Sequence, residues 1–275
     1  MNEPRKNRRS WWAPALLLLI AAAGLRAEEE KAPAGANSID AAAVIKKVEE
    51  LLRGDTSYSE MTMTVYNPAW PGPREYEMRS WDDRQTDRSF IRITAPARDR
   101  GKAFLKDGKV FKVYIPTERE NKPMTIPPSL MLQPWMGSDF TNDDLVRESS
   151  VINDYTQTIE GTEQAGGKAL IRVQLLPKPE APVVWGKIVY WVDADEYLPV
   201  REVYYDEDGK AVREMVLSAV KLMGDRNIPT VWEMRDLDPD KKGQRTVITI
   251  TKIQFNLPID PQVFTEKNLT RRDWD

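Results

Sequence analysis

Between residues 61 and 255 apolar and polar side chains alternate at every second position, segment after segment, and only one stretch near the start keeps helical spacing. A period of two belongs to strands with one dry face, so this chain is committed to sheet. Met61, Met63 and Val65 alternate with Thr62, Thr64 and Tyr66. Tyr76 and Met78 alternate with Glu75, Glu77 and Arg79, and Ile91 and Ile93 flank Arg92. Ala103-Phe104-Leu105 and the run 110–115 are joined across Asp107-Gly108, a dipeptide suited to the positive φ angles of a tight hairpin. Further strands are predicted at about 155–160, 169–175, 185–192, 199–205, 211–222, 229–236 and 245–255, with turns at Gly166-Gly167 and Asp208-Gly209.

The exception is residues 39–53. Ile39, Ala43, Val44, Val48, Leu51 and Leu52 recur at helical spacing between Lys46, Lys47, Glu49 and Glu50, after Ser38 and Asp40 and before Gly54. One amphipathic helix followed by about a dozen short-linked strands predicts a mainly β fold with few helices (α+β). The expected architecture is a curved antiparallel sheet, or incomplete β-barrel, enclosing the N-terminal helix and a helical lid. Parallel α/β folds are excluded because helices do not alternate with the strands.

The opening residues address the chain to a compartment. Arg5, Lys6, Arg8 and Arg9 precede an apolar run from Trp11 to Ala23, then Ala27 and Glu28-Glu29-Glu30, the order of a cleavable secretory signal. The run is short for a membrane span, although an uncleaved anchor has the same positive flank. The expected organisation is a signal peptide at 1–27, a flexible leader at 28–37 and a single domain over 38–275, in the periplasm, with cleavage near Ala27. Loss of residues 1–27 moves the formal charge from −3 to −7, which disfavours nucleic acid and anionic membrane as main partners. The chain has no Cys and no His, so disulfides, thiol nucleophiles, Cys/His zinc sites, Ser-His-Asp triads and acylated-cysteine anchors are excluded.

Residues 116–148 break the strand rhythm. Prolines at 116, 127, 128 and 134 punctuate Met124, Ile126, Leu130, Met131, Leu132, Trp135 and Met136, so a loop with short helical turns is expected, with Thr141 capping a turn over 142–146. A solvated loop would not carry so much apolar surface. The segment is expected either to plug the concave face of the sheet or to lie over it as the movable wall of a hydrophobic cavity, where methionine tolerates ligands of imprecise shape.

The run 136–145, Met-Gly-Ser-Asp-Phe-Thr-Asn-Asp-Asp-Leu, preceded by a Val113-Tyr114-Ile115-Pro116 strand end and a signal peptide, resembles the LolA-like family of outer membrane lipoprotein-sorting proteins. The resemblance implies an unclosed barrel around a helix and helical lid, with an interior that shelters acyl chains crossing the periplasm. It carries over the motif residues Gly137, Ser138, Asp139, Phe140, Asp143, Asp144 and Leu145. Asp139 and Asp144 are expected to hold the loop through backbone hydrogen bonds.

Other residues add to the predicted interior. Regular alternation puts Trp185 and Trp191 on one face of a strand and Ile188, Tyr190 and Val192 on the other; Met215 with Leu217, and Trp232 with Met234, pair in the same way. Together with Met124, Leu130, Met131, Leu132, Trp135 and Met136, the residues Trp185, Trp191, Met215, Trp232 and Met234 are the candidates for a hydrophobic cavity or lid. Ordinary core filling is the alternative for each. The acidic groups 193–196, 206–208 and 236–240 could hold calcium chemically, but each falls where a strand should end and carboxylates build turns. Asn268-Leu269-Thr270 fits a glycosylation acceptor, a match without meaning in a bacterial envelope.

The reading that follows is a carrier without enzymatic activity or cofactor. Its partners would be lipid or lipoprotein acyl chains, an inner-membrane exporter and an outer-membrane acceptor. The alternative is a non-enzymatic accessory protein of an envelope exporter that carries nothing.

Overall fold

The computed structural model describes residues 40–116, 122–147, 151–181 and 183–271. The expected signal peptide and leader lie outside the described residues. The helix-period stretch forms α1 (Ala41–Arg53). The Asp40 carboxylate accepts from the Ala42 N–H at 3.0 Å, and Gly54, at φ 66°, ends the helix by donating its N–H to the Glu50 carbonyl. Ala41, Val44, Ile45 and Val48 are its buried stripe. Ala43, expected in that stripe, is exposed, and Ile45 takes its place.

Thirteen strands follow: β1 (Thr56–Tyr66), β2 (Arg74–Asp83), β3 (Arg88–Ala95), β4 (Ala103–Asp107), β5 (Val110–Tyr114), β6 (Met124–Thr125), β7 (Tyr155–Ala165), β8 (Lys168–Pro177), β9 (Lys187–Asp193), β10 (Pro199–Tyr205), β11 (Ala211–Met223), β12 (Arg226–Asp236) and β13 (Arg245–Phe255). The short helices are α2 (Asn142–Arg147), α3 (Val151–Asp154) and α4 (Glu266–Leu269). All the strands join one antiparallel sheet in the order β6-β5-β4-β3-β2-β1-β13-β12-β11-β10-β9-β8-β7.

Neighbours in sequence are neighbours in the sheet, as expected, with one break. The consecutive strands β6 and β7 are opposite edges, while β1 pairs with β13 in the middle. The punctuated segment is long because it joins one edge of the sheet to the other. Side chains from β4 and from β9, far apart in sheet order, line one cavity, so the sheet curls around it. The curl stops short of a closed barrel because β6 and β7 do not pair.

The turns obey their residues. Ala165 pairs with Lys168, leaving Gly166 and Gly167 as a two-residue loop at φ 58° and 79°. In the β4–β5 hairpin Asp107 pairs with Val110, so the loop is Gly108-Lys109, one position later than the Asp-Gly pair suggests. Gly108, at φ 57°, still supplies the left-handed residue.

Both faces are covered on the β3–β5 side. On the outer face, Phe264 and Leu269 of the C-terminal segment pack on Phe90, Ala103, Leu105 and Tyr114. The guanidinium of Arg92 donates there to the carbonyls of Asn268 and Arg271, and burial pushes its pKa down to about 10. On the inner face lie α1 and the crossing segment.

Candidate ligand-binding cavity

The alternation of the strands stacks apolar side chains in rows on the inner face. Leu217, Trp232, Ile248, Met63 and Tyr76 stand directly opposite one another across five strands. Between these rows, α1 and the crossing segment, a partly enclosed cavity of about 250 Å³ remains.

Trp135, Trp185, Met215, Trp232 and Met234 line this cavity. Met131 and Met136 pack at the edge of the core without reaching it. Met124, Leu130 and Leu132 do not line it and are exposed, Leu132 at 55 %. Trp191 requires a correction. It points to the outer face, into a cluster with Leu170, Val189 and Val203, with the Arg201 guanidinium 4.7 Å from its ring centre. Regular alternation would carry Trp185 there too, but β9 begins only at Lys187. Gly186 lies so close to the Asp206 backbone that a Cβ would fall 2.4 Å from its carbonyl oxygen, and this irregular approach turns Trp185 inward against Tyr204.

The motif run 136–145 is the pinned part of the crossing segment. Trp135 N–H donates to the Phe140 carbonyl at 2.7 Å and Ser138 N–H to the Trp135 carbonyl at 2.8 Å, closing a tight loop whose corner is Met136-Gly137 at φ 53° and 77°. The buried Ser138 hydroxyl accepts from Phe140 N–H. Thr141 caps α2 as expected and does so reciprocally: its hydroxyl accepts from Asp144 N–H at 3.3 Å, and the Asp144 carboxylate accepts from Thr141 N–H at 2.7 Å. Trp135, Phe140, Asp143, Asp144 and Leu145 all face the cavity, and Trp135 meets Phe104 edge to face at 5.4 Å.

Two carboxylates fasten this loop to the sheet. Asp139 accepts from the Thr246 hydroxyl at 2.6 Å and from the Gln244 amide at 2.9 Å, while its own N–H donates to Thr246. Burial raises the Asp139 pKa in spite of those hydrogen bonds. Asp144 takes a bidentate pair from Arg213, at 2.8 and 2.5 Å. The Arg213 guanidinium sits 4.3 and 4.4 Å from the ring centres of Trp185 and Tyr204. Burial opposes its charge, but Asp144 outweighs burial and its pKa is raised. The backbone hydrogen bonds expected of these two aspartates exist for Asp144, but side chains of β11 and β13 provide the larger anchors.

Sequence reasoning missed Arg213 and a set of serines. Arg213 continues the inward phase of Met215 and Leu217 inside the predicted strand 211–222, and Ser57 and Ser59 continue that of Met61 and Met63 ahead of the alternation that begins at Met61, so the period is the signal that finds all three. Ser57, Asp82, Ser89 and Lys106 stand opposite one another across β1–β4 and line the cavity beside Arg53 of α1. Arg53 pairs with Asp82 at 2.7 Å, and Lys106 pairs with Asp87.

The acidic groups weighed as calcium ligands build turns. Asp193 accepts from the N–H groups of Asp195 and Glu196 and from Lys168, Asp206 accepts from Lys210 N–H, and Asp236 accepts from Asp238 N–H and Lys241. Among the described residues no three Asp, Glu, Cys or His are placed to hold a metal ion.

A family model described as an uncharacterized protein matches residues 85–271, about two thirds of the chain, from β3 to the segment on the outer face. The chain belongs to that family. Solved structures supply the fold. A DUF1329 family protein from Desulfovibrio piger superposes with a TM-score of 0.73 at 20 % identity, covering 83 % of this chain and 97 % of that one. A domain described as outer membrane lipoprotein-sorting from Vibrio parahaemolyticus gives 0.72 at 19 %, covering 84 % and 98 %. A LolA superfamily protein from Nitrosomonas europaea gives 0.69 at 19 %, covering 84 % and 100 %. The fold is therefore LolA-like. No curated protein matches the chain.

Proposed function

We propose that this protein is a periplasmic carrier that shelters acyl chains of a lipid or lipoprotein on the way to the outer membrane. The observation that carries the reading is the cavity of about 250 Å³ walled by Met215, Trp232, Met234, Trp135 and Phe140. It is slightly smaller than the roughly 300–1,000 Å³ of drug-sized ligand sites, which suits one acyl segment rather than a whole diacyl lipid. Each methylene moved from water into such a site gains about 0.8 kcal/mol, so a short buried segment is held without covalent chemistry. The LolA-like fold and the lipoprotein-sorting description of one structural relative support the same reading. An exporter in the inner membrane would load the cavity and a deeper site at the outer membrane would empty it.

The second reading, an accessory protein docking on an envelope exporter, is favoured by Met124, Leu130 and Leu132, which stay exposed outside the cavity. Organic extraction of the purified mature protein, followed by mass spectrometry, separates the two. Stoichiometric lipid supports the carrier. Extracts without lipid, together with no saturable uptake of phenylnaphthylamine by delipidated protein, leave the accessory role.

A further inference from the structure

The cavity is polar at one end, in an ordered way. Along β1 the inward residues run Ser57, Ser59, Met61 and Met63; β2 and β3 on one side keep step, while β13 on the other puts Phe255 opposite Ser57 and Ile253 opposite Ser59. Ser57 faces Asp82, Ser59 faces Ser80 and Met61 faces Met78. On β3, Asp82 faces Ser89, Ser80 faces Ile91 and Met78 faces Ile93. Across β1–β3 the inner face thus passes from a polar row of Ser57, Asp82 and Ser89 through a mixed row to an apolar row over four residues of β1, about 13 Å at the rise of a strand.

The serines at this end lack partners. Ser57 and Ser59 are only 9 % and 7 % exposed, they line the cavity, and neither hydroxyl makes a hydrogen bond within the described residues. Ser80 and Ser89 line the same end and make none either. None of these oxygens is sealed inside the protein; each opens onto the cavity, where water or a polar ligand group can meet it. The charges around them are matched: Arg53 with Asp82, Lys106 with Asp87, and Glu49 adding one more carboxylate to the lining. A ligand entering here meets hydroxyl groups without a surplus of positive charge.

We propose that this end seats the small, uncharged, oxygen-rich head of an amphiphile of the acylglycerol type, with Ser57 and Ser59 hydrogen-bonding its hydroxyl and ester oxygens. Its chain runs past Met61 and Met78 toward Trp232 and Met234. The inference rests on the carrier reading and adds the chemistry of the head. Fatty-acid carboxylates and phosphate heads are disfavoured, because Asp82, Asp87 and Glu49 answer the two basic groups.

The test is displacement of phenylnaphthylamine from delipidated full-length mature protein by monooleoylglycerol and by oleate, which share one chain and differ in the head. The expected result is that monooleoylglycerol displaces the probe at concentrations roughly tenfold lower than oleate. In the Ser57→Ala/Ser59→Ala double variant, compared head against head on the same folded protein, that advantage falls roughly tenfold, the worth of one or two hydrogen bonds. Oleate binding as well as monooleoylglycerol, or a double variant with undiminished preference, overturns the head assignment and leaves the carrier reading standing. A wild-type protein that takes up no probe at all overturns the carrier reading itself, and the head assignment with it.

Discussion

The crossing segment holds two stretches that look alike in composition and end up in opposite surroundings. Residues 124–132 carry Met124, Leu130, Met131 and Leu132, yet three of these are exposed; residues 135–146 carry Trp135, Phe140 and Val146, and all three are buried, Trp135 at 2 % exposure. Apolar content does not distinguish them. The second stretch carries Asp139 and Asp144 and lies where Thr246, Gln244 and Arg213 receive them. The first is held by backbone contacts, an Asn142 amide to the Leu130 carbonyl and the partly buried Ile126 and Met131 at the edge of the core, and it has no charged side chain of its own to serve as an anchor. Polar anchors decide which hydrophobic residues reach the interior.

If that is right, removing an anchor should cost more than removing any apolar residue. Asp144→Ala strands the buried Arg213 charge, at about 3–5 kcal/mol, and deletes half of the reciprocal cap of α2, at about 1 kcal/mol more. Denaturant melts should show a loss of that size, and a loss below that of Trp135→Ala would reverse the ranking.

Trp135→Ala should itself cost about 3–5 kcal/mol through the cavity it opens against Phe104. A melt close to the parent's would mean that the 135–146 stretch is not part of the core. Probe affinity per folded molecule should also drop, because the indole is part of the cavity wall.

Asp139 offers a smaller effect with a diagnostic sign. Its folded pKa is raised above the ordinary 3.8, so its contribution to stability is fully present below that value and is lost as pH rises through the folded pKa. Asp139→Asn removes this loss. The difference in stability, variant minus parent, should therefore grow as pH rises through that window, opposite to the trend expected of Asp99 and Asp193, whose pKa values are lowered. A difference that shrinks with pH would show that its hydrogen bonds outweigh its burial.

The exposed stretch should give the smallest response. Leu132→Ser is expected to change stability by no more than about 0.5 kcal/mol. A larger loss in an equilibrium melt would show that residues 124–132 are packed as firmly as their neighbours, and the contrast would collapse.

Much of the sheet was legible because alternation is a local property. The predicted strands from 155 to 255 coincide with β7–β13 to within a few residues, apart from the longer β7 and the later start of β9. The pairing of β1 with β13 was not legible, since nothing local in either strand names a partner about 190 residues away. Trp191 was misassigned because alternation was extended across Gly186, where backbone crowding breaks it. Within the site, Met215, Trp232 and Met234 stood out by their period, whereas Ser57 and Ser59 were passed over because polar residues in an inward phase read as lying before the strand, and Arg213, inside a predicted strand, because a charge reads as facing solvent. Such residues are the ones worth keeping in the count.

The break in the meander has a consequence for how the chain reaches this structure. Strands β1–β6 and β7–β13 are each a run of local hairpins that can zip quickly, but the seam between them, β1 against β13, closes a loop spanning most of the chain. Loop closure of that length is entropically unfavourable and belongs late in folding, after both half-sheets exist. Until then each half presents a long unpaired edge strand and an uncovered greasy face, the combination most prone to self-association. A chain with this topology therefore faces its greatest aggregation hazard at the last step of folding, when most of its hydrogen bonds have already formed.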